Sequence, residues 1–218
     1  MLVFTKFGSV GASHFWETIA PGSGHLPAPR TMSKSFDQQT LLLQLEGEVE
    51  RHLAEVIRSY QNLSDEALLQ RPPDQGWSVV ECLWHLNSYG HHYLPLIEKG
   101  LARPGHSTGT FTSTWLGSWF TRIMRPGEGM RKMKAFKDHR PPAHLDSHRV
   151  VAEFIHQQEE LLDLLRRSRV ADLNRIRIGL SILPWLKMRL GDVFQFLIAH
   201  QDRHLAQARR VRGQRLQD

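Results

Sequence analysis

The sequence predicts an all-α protein: a four-helix bundle with a long crossover connection between its second and third helices. Three observations lead there. Four segments, at about 36–61, 78–101, 148–168 and 191–211, place apolar residues at intervals of three and four, the spacing of one helix face. No series of alternating segments suggests a sheet, and no internal repeat is present. The stretch 102–147 is rich in Gly, Pro, Thr and Ser and long enough to cross the bundle, which a parallel helix pair demands.

Residues 1–35 carry Gly-Ser-Gly at 22–24 and Pro27-Ala-Pro29 with no period, and are expected to form a flexible N-terminal extension. Met32 would serve equally well as a start. The bundle is expected over 36–212, with 213–218 as a C-terminal tail. The first helix should run from about Phe36 to Gln61 on a stripe of Leu42, Leu45, Val49, Leu53, Val56 and Tyr60, with His52 at its border. A turn-rich link then ends in Pro72-Pro73-Asp74.

The second helix has the clearest start. Ser78-Val-Val-Glu81 is a capping box: the Ser hydroxyl accepts the Glu81 amide while the carboxylate returns to the cap's own N–H. Two adjoining stripes, one through Val79, Leu83, Leu86, Leu94 and Ile97, the other through Cys82, His85, Tyr89, His92 and Leu96, make this helix apolar over a wide arc. His85 is therefore expected to point inward, and Pro95 to bend the helix. Within the long connection, Trp115-Leu-Gly-Ser-Trp119-Phe120 suggests a short helix, and the basic stretch Arg122 to Lys137 reads as a solvated loop before an anion site.

The third helix, about His148 to Ser168, turns Val151, Phe154, Leu161 and Leu165 inward, and Gln158 interrupts the stripe. Leu173 to Leu190 has an ambiguous period and is expected to be irregular and partly helical. Asp192, with Gln195 three residues on, is expected to cap the fourth helix. On that helix Leu190, Val193, Leu197, His200, His204, Ala208 and Val211 form one stripe. Two histidines one turn apart thus continue a face that should be buried. Buried imidazoles are costly unless their nitrogens find partners; a metal ion held by i, i+4 histidines meets that need, and on spacing alone a hydrogen-bonded structural pair is the commoner way to meet it.

Composition narrows the function classes. The chain of 218 residues is 40% hydrophobic and 23% charged, with a mean hydropathy of −0.39, as ordinary globular domains are. A net charge of +6 resides largely in pairs at helix ends, such as Arg166-Arg167 and Arg209-Arg210, which read as solvated surface in preference to a nucleic-acid footprint. The single cysteine, Cys82, excludes an intrachain disulfide and fits a reducing, cytoplasmic setting. No apolar run approaches the roughly 20 residues of a membrane span. With 13 histidines chance pairs are expected, and His91-His92 and His144/His148 are read as such.

Trp77-Ser78 opening the second helix, His85 seven residues after Ser78, and the terminal His200-Gln-Asp-Arg-His204-Leu-Ala-Gln207 together resemble the DinB-like superfamily, whose members include bacillithiol transferases and mycothiol-dependent maleylpyruvate isomerases. Two blocks, Gly76–Leu86 and Leu190–Gln207, carry the resemblance, which spans about residues 36–212. It implies a four-helix bundle in which His85, His200 and His204 bind a divalent ion, Zn²⁺ or Ni²⁺ before others. Three imidazoles leave open positions, where water would titrate near about 7 and a thiol would be deprotonated outright. The thiolate is the nucleophile of thiol transfer.

The resemblance thus implies a metal-dependent thiol-S-transferase with a small-molecule substrate and a low-molecular-weight thiol. The alternatives are a metal-dependent hydrolase and a non-catalytic, stress-linked metal- or ligand-binding bundle. Neither nucleic acid nor membrane is expected as a partner, and a homodimer through exposed helix faces is compatible with the pattern. Glu81 and Gln207, each one turn from a candidate ligand, are candidates to orient it, with capping the favoured role for Glu81. His92 is expected to be a buried, hydrogen-bonded histidine and not a fourth ligand. Cys82 is expected to be an inert core residue.

Overall fold

The computed structural model describes residues 34–103, 105–127 and 134–213. The chain enters as strand β1 (Ser35–Asp37) and passes directly into helix α1 (Gln38–Ser59). Phe36 therefore lies in a strand and not in the first helix as expected. Ser35-Phe36-Asp37 pairs antiparallel with β2 (Thr110–Thr112), Phe36 opposite Phe111. The Asp37 carboxylate then caps α1, accepting the Thr40 amide at 2.8 Å. The expected extension before Lys34 and the tail beyond Gly213 lie outside the described residues.

A short helix α2 (Asp65–Leu69) precedes α3 (Val79–Leu101). The predicted capping box is present: Ser78 N–H donates to Glu81 Oε2 at 2.9 Å, and the Glu81 amide donates to Ser78 Oγ at 3.3 Å. Glu81 also takes a bidentate ion pair from Arg71, which leaves it no role at His85. The helix runs unbroken through Pro95. The long connection carries β2, helix α4 (Trp115–Met124), capped by Thr114, and a 3-10 turn at Lys137–His139. Asp146 caps α5 (Ser147–Arg167).

Two expectations fail between α5 and the last helix. Residues 173–189 contain no helix: Arg177–Gly179 and Lys187–Arg189 form an antiparallel hairpin, β3 and β4, with Ile178 opposite Met188. Both central residues are buried, each between an exposed basic residue (Arg177 or Lys187) and a half-buried one (Gly179 or Arg189), the period of two that a half-buried strand requires. The strands are too short for that period to stand out in the sequence. Nor does Asp192 cap the final helix, α6 (Leu190–Val211), which begins at Leu190 after Arg189 with no side-chain cap. Asp192 lies in the first turn, fully buried, and accepts hydrogen bonds from Ser113 Oγ (2.6 Å), Thr114 Oγ1 (2.7 Å) and the Thr114 amide (3.1 Å). Its carboxylate ties the start of α4 to α6.

α1 and α3 each pack against both α5 and α6, so α1 and α3 stand on one diagonal of the bundle and α5 and α6 on the other. α4 lies along α6 as a fifth, shorter layer. Two apolar clusters fill the interior. One gathers Leu42, Leu45, Ile97, Phe111, Leu161 and Phe194, and the other Val56, Tyr60, Leu83, Phe154 and Leu205. On α3 the change of cluster falls between Leu86 and Tyr89, and on α6 between Ile198 and Leu205. The histidines sit at this seam. Two arginines near helix ends pair with acids on α1, Arg209 with Glu55 and Arg169 with Glu46. No described helix is long and apolar enough to cross a membrane.

Candidate metal centre

α3 delivers His85 to the seam, and the i, i+4 spacing on α6 delivers His200 and His204 to the same point. One nitrogen from each lies within 4.8 Å of the others, and all three residues are buried. His85 Nε2 and His200 Nε2 are 3.1 Å apart. The other ring nitrogens show how the imidazoles are aimed. His85 Nδ1–H donates to the backbone carbonyl of His139 at 2.6 Å. His204 Nδ1–H donates to Gln207 Oε1 at 3.2 Å. Both donations fix the tautomer that leaves Nε2 with its lone pair, the state a metal ligand needs.

Electrostatics agree with that state. Burial pushes the His85 imidazole down to about 4. Burial, then the neighbouring His204 and His85, hold His200 far below the ordinary histidine range. Burial, then His85 and Arg203, do the same to His204. Three neutral imidazoles therefore face one another near neutral pH, and no net positive charge has to be expelled before a cation enters. The three imidazoles form a group that could hold a metal ion.

His139, which the sequence reading did not single out, anchors the segment that supplies the carbonyl to His85. Its Nδ1 lies 2.8 Å from Ser88 Oγ and its Nε2 3.0 Å from Ser181 Oγ. Its ring stacks on Tyr89 with centroids 3.9 Å apart. Burial pushes this imidazole down as well, to about 4. No sequence signal marks it, because a loop histidine 54 residues from His85 has no spacing to read. Trp77 packs against both His85 and His204, with centroids 4.8 and 5.7 Å away. It follows a tight turn in which Gln75 adopts φ 55°, the left-handed region usually left to glycine.

The histidines open onto a cavity of about 1100 Å³. Trp77, Phe120, Phe196 and Ile182 give it apolar walls, and Arg71, Lys134, Arg140, Arg203 and Arg210 give it a basic rim. Lys134 belongs to the basic stretch Arg122 to Lys137 that the sequence reads as a solvated loop in preference to an anion site. Tyr89 lines the cavity, as its place on the His85 face suggested.

Three further histidines have partners elsewhere. His52 is buried, away from the expected border, and joins α1 to α6 through Gln201 (3.2 Å) and Asp202 (2.6 Å). His92 Nε2 donates to the Gly179 carbonyl at 3.1 Å, and His91 pairs with Glu153. Cys82 is fully buried, does not line the cavity, and is pushed up by burial. Glu81 is occupied by the cap and Arg71, whereas Gln207 does orient His204.

Neither the curated proteins nor the solved structures give a significant match to this chain. The family described as the DinB superfamily matches residues 48–208, a span that contains His85, His139, His200 and His204. With most of the bundle inside that match, the chain belongs to the DinB superfamily.

Proposed function

We propose that His85, His200 and His204 are the ligands of a divalent metal ion, Zn²⁺ or Ni²⁺, and that the protein is a thiol-S-transferase acting on a small electrophile. The observation that carries this reading is the convergence of three neutral imidazoles, two of them with Nδ1–H donated to carbonyl oxygens, at the floor of an open cavity of about 1100 Å³. When bound, such an ion supplies a Lewis acid that lowers the pKa of a thiol presented to it.

The chain's own groups supply the remainder. The His139 carbonyl and Gln207 hold two imidazoles in the ligand tautomer. Trp77, Phe120 and Phe196 exclude water from the apolar side of the cavity. The buried Cys82 offers no nucleophile, so the sulfur comes from a low-molecular-weight thiol that enters the cavity. In the transfer a C–S bond forms, the bond to the leaving group breaks with its electron pair on that group, and the thiol proton passes to solvent.

The test is elemental analysis of tag-free protein, wild type beside His204→Ala, followed by thiol conjugation assays with and without the ion. About one Zn or Ni per chain, lost in the variant, together with metal-dependent thiol consumption, is the expected result. Bound metal with ester or amide turnover but no thiol consumption would favour a hydrolase. No metal uptake, even after incubation with either ion, would overturn the reading.

A further inference from the structure

The hydrogen-bond partners of the three histidines are incomplete in one respect. His85 and His204 each place Nδ1 on a carbonyl oxygen, but His200 Nδ1 is buried with no protein partner among the described residues. Gln158 Oε1, on α5, is likewise buried and unpartnered. Gln158 is the residue that interrupts the apolar stripe of its helix, and it is only 1% exposed. Leaving a buried polar atom unpaired costs roughly 1–3 kcal/mol, so these two atoms call for an explanation.

Both residues line one small cavity between α3, α5 and α6, distinct from the large one. It offers about 10 Å³ to a water centre, at the lower end of the roughly 10–15 Å³ that a single water needs. Tyr89, Gln157 and Gln201 line it too, so its wall is polar as well as apolar. An apolar void of this size would stay dry, whereas a void with an imidazole nitrogen on one side and an amide oxygen on another suits a bridging water.

We infer that one buried water occupies this cavity, hydrogen-bonded to His200 Nδ1 and donating to Gln158 Oε1, and that Gln158 is thereby a positioning residue of the histidine cluster. Water can donate or accept, so the bridge serves His200 in both states: in the metal-free chain His200 Nε2–H faces His85 Nε2 at 3.1 Å and the water donates to Nδ1, and with a cation on Nε2 the proton would sit on Nδ1 and the water would accept it. All three imidazoles are then oriented through Nδ1 by an oxygen: a backbone carbonyl, a glutamine on the same helix, and a water backed by a glutamine on another helix. It also explains why a polar residue stands on the inward face of α5. The positioning role rests on the metal reading proposed above, but the water does not.

Two measurements test it. The first is a crystal structure of the metal-free wild type at better than about 1.5 Å. Ordered density within hydrogen-bond distance of both His200 Nδ1 and Gln158 Oε1 is expected. An empty cavity, or Gln158 turned away from it, would overturn the inference whether or not the protein binds metal. The second is metal affinity by chelator competition for wild type, Gln158→Met and Gln158→Glu. Met keeps an unbranched side chain of similar volume but removes the oxygen, and Glu keeps the acceptor. A roughly 10–100-fold weaker affinity in Gln158→Met, substantially restored in Gln158→Glu, is expected, with the thermal midpoint of metal-free Gln158→Met not lowered. Unchanged affinity in Gln158→Met would overturn the positioning role. A wild type that takes up no metal would instead overturn the proposed function, and the density alone would then decide the water.

Discussion

At the scale of single residues, the cluster trades stability for readiness to bind. His85 is held neutral to about pH 4 in the folded chain, while in the unfolded chain it accepts a proton near 6.5. Between those values the unfolded state binds protons that the folded state refuses, so stability falls as the pH drops through that window and is fully present above it. For His85 alone the loss approaches about 3 kcal/mol. Metal-free protein should accordingly show a urea midpoint that declines steadily between pH 7 and 4.5, and His85→Gln should flatten the decline. Cys82 gives a second prediction at this scale. Fully buried, with its thiol pushed up by desolvation, it should resist a thiol-specific reagent in the native state and react within the mixing time in denaturant.

At the scale of elements, the site depends on where helices begin. The Ser78–Glu81 box fixes the start of α3 seven residues before His85, and Arg71 braces it from the preceding loop. Ser78→Ala should cost about 1 kcal/mol in denaturant unfolding without altering metal stoichiometry, because the packing of Leu83 and Leu86 still fixes the phase of the helix. Asp192 has the larger structural task. Its three hydrogen bonds join Ser113 and Thr114 to the first turn of α6, and α4, which contributes Phe120 to the cavity wall, hangs from that junction. Asp192→Ala leaves buried donors unmatched and should lower stability by roughly 2–3 kcal/mol. Hydrogen exchange of α4 should accelerate more than that of α3 or α5.

At the scale of the whole molecule, the bundle and its additions divide the work. The four long helices bring the histidines to a seam between two apolar clusters, and the connections build the cavity above them. Phe154, 1% exposed in the second cluster, reports on the first part: Phe154→Ala should destabilise the fold by about 3–5 kcal/mol in a single cooperative transition. The 102–146 connection, α4 and the β3–β4 hairpin report on the second, since they supply Phe120, Leu180 and Ile182 to the cavity.

What the sequence determined by itself is what repeats along a helix or lies within a few residues of a helix start. The stripes of α1, α3, α5 and α6, the Ser78 box, and the phase that turns His85, His200 and His204 inward all follow from a 3.6-residue period acting on local neighbours. Gln207, one turn from His204, was legible for the same reason. What only the tertiary structure decided involves partners distant in the chain. Phe36 joins a strand because Phe111 stands opposite, Asp192 leaves the cap for Ser113 and Thr114, and His139 reaches His85 across 54 residues. The hairpin at 177–189 was unreadable because three-residue strands hold barely one alternation. Gln158 shows the boundary between the two. Its polarity on an inward face was visible in the sequence, but its meaning depends on the nitrogen of His200 facing the same cavity, and only packing brings those two atoms together.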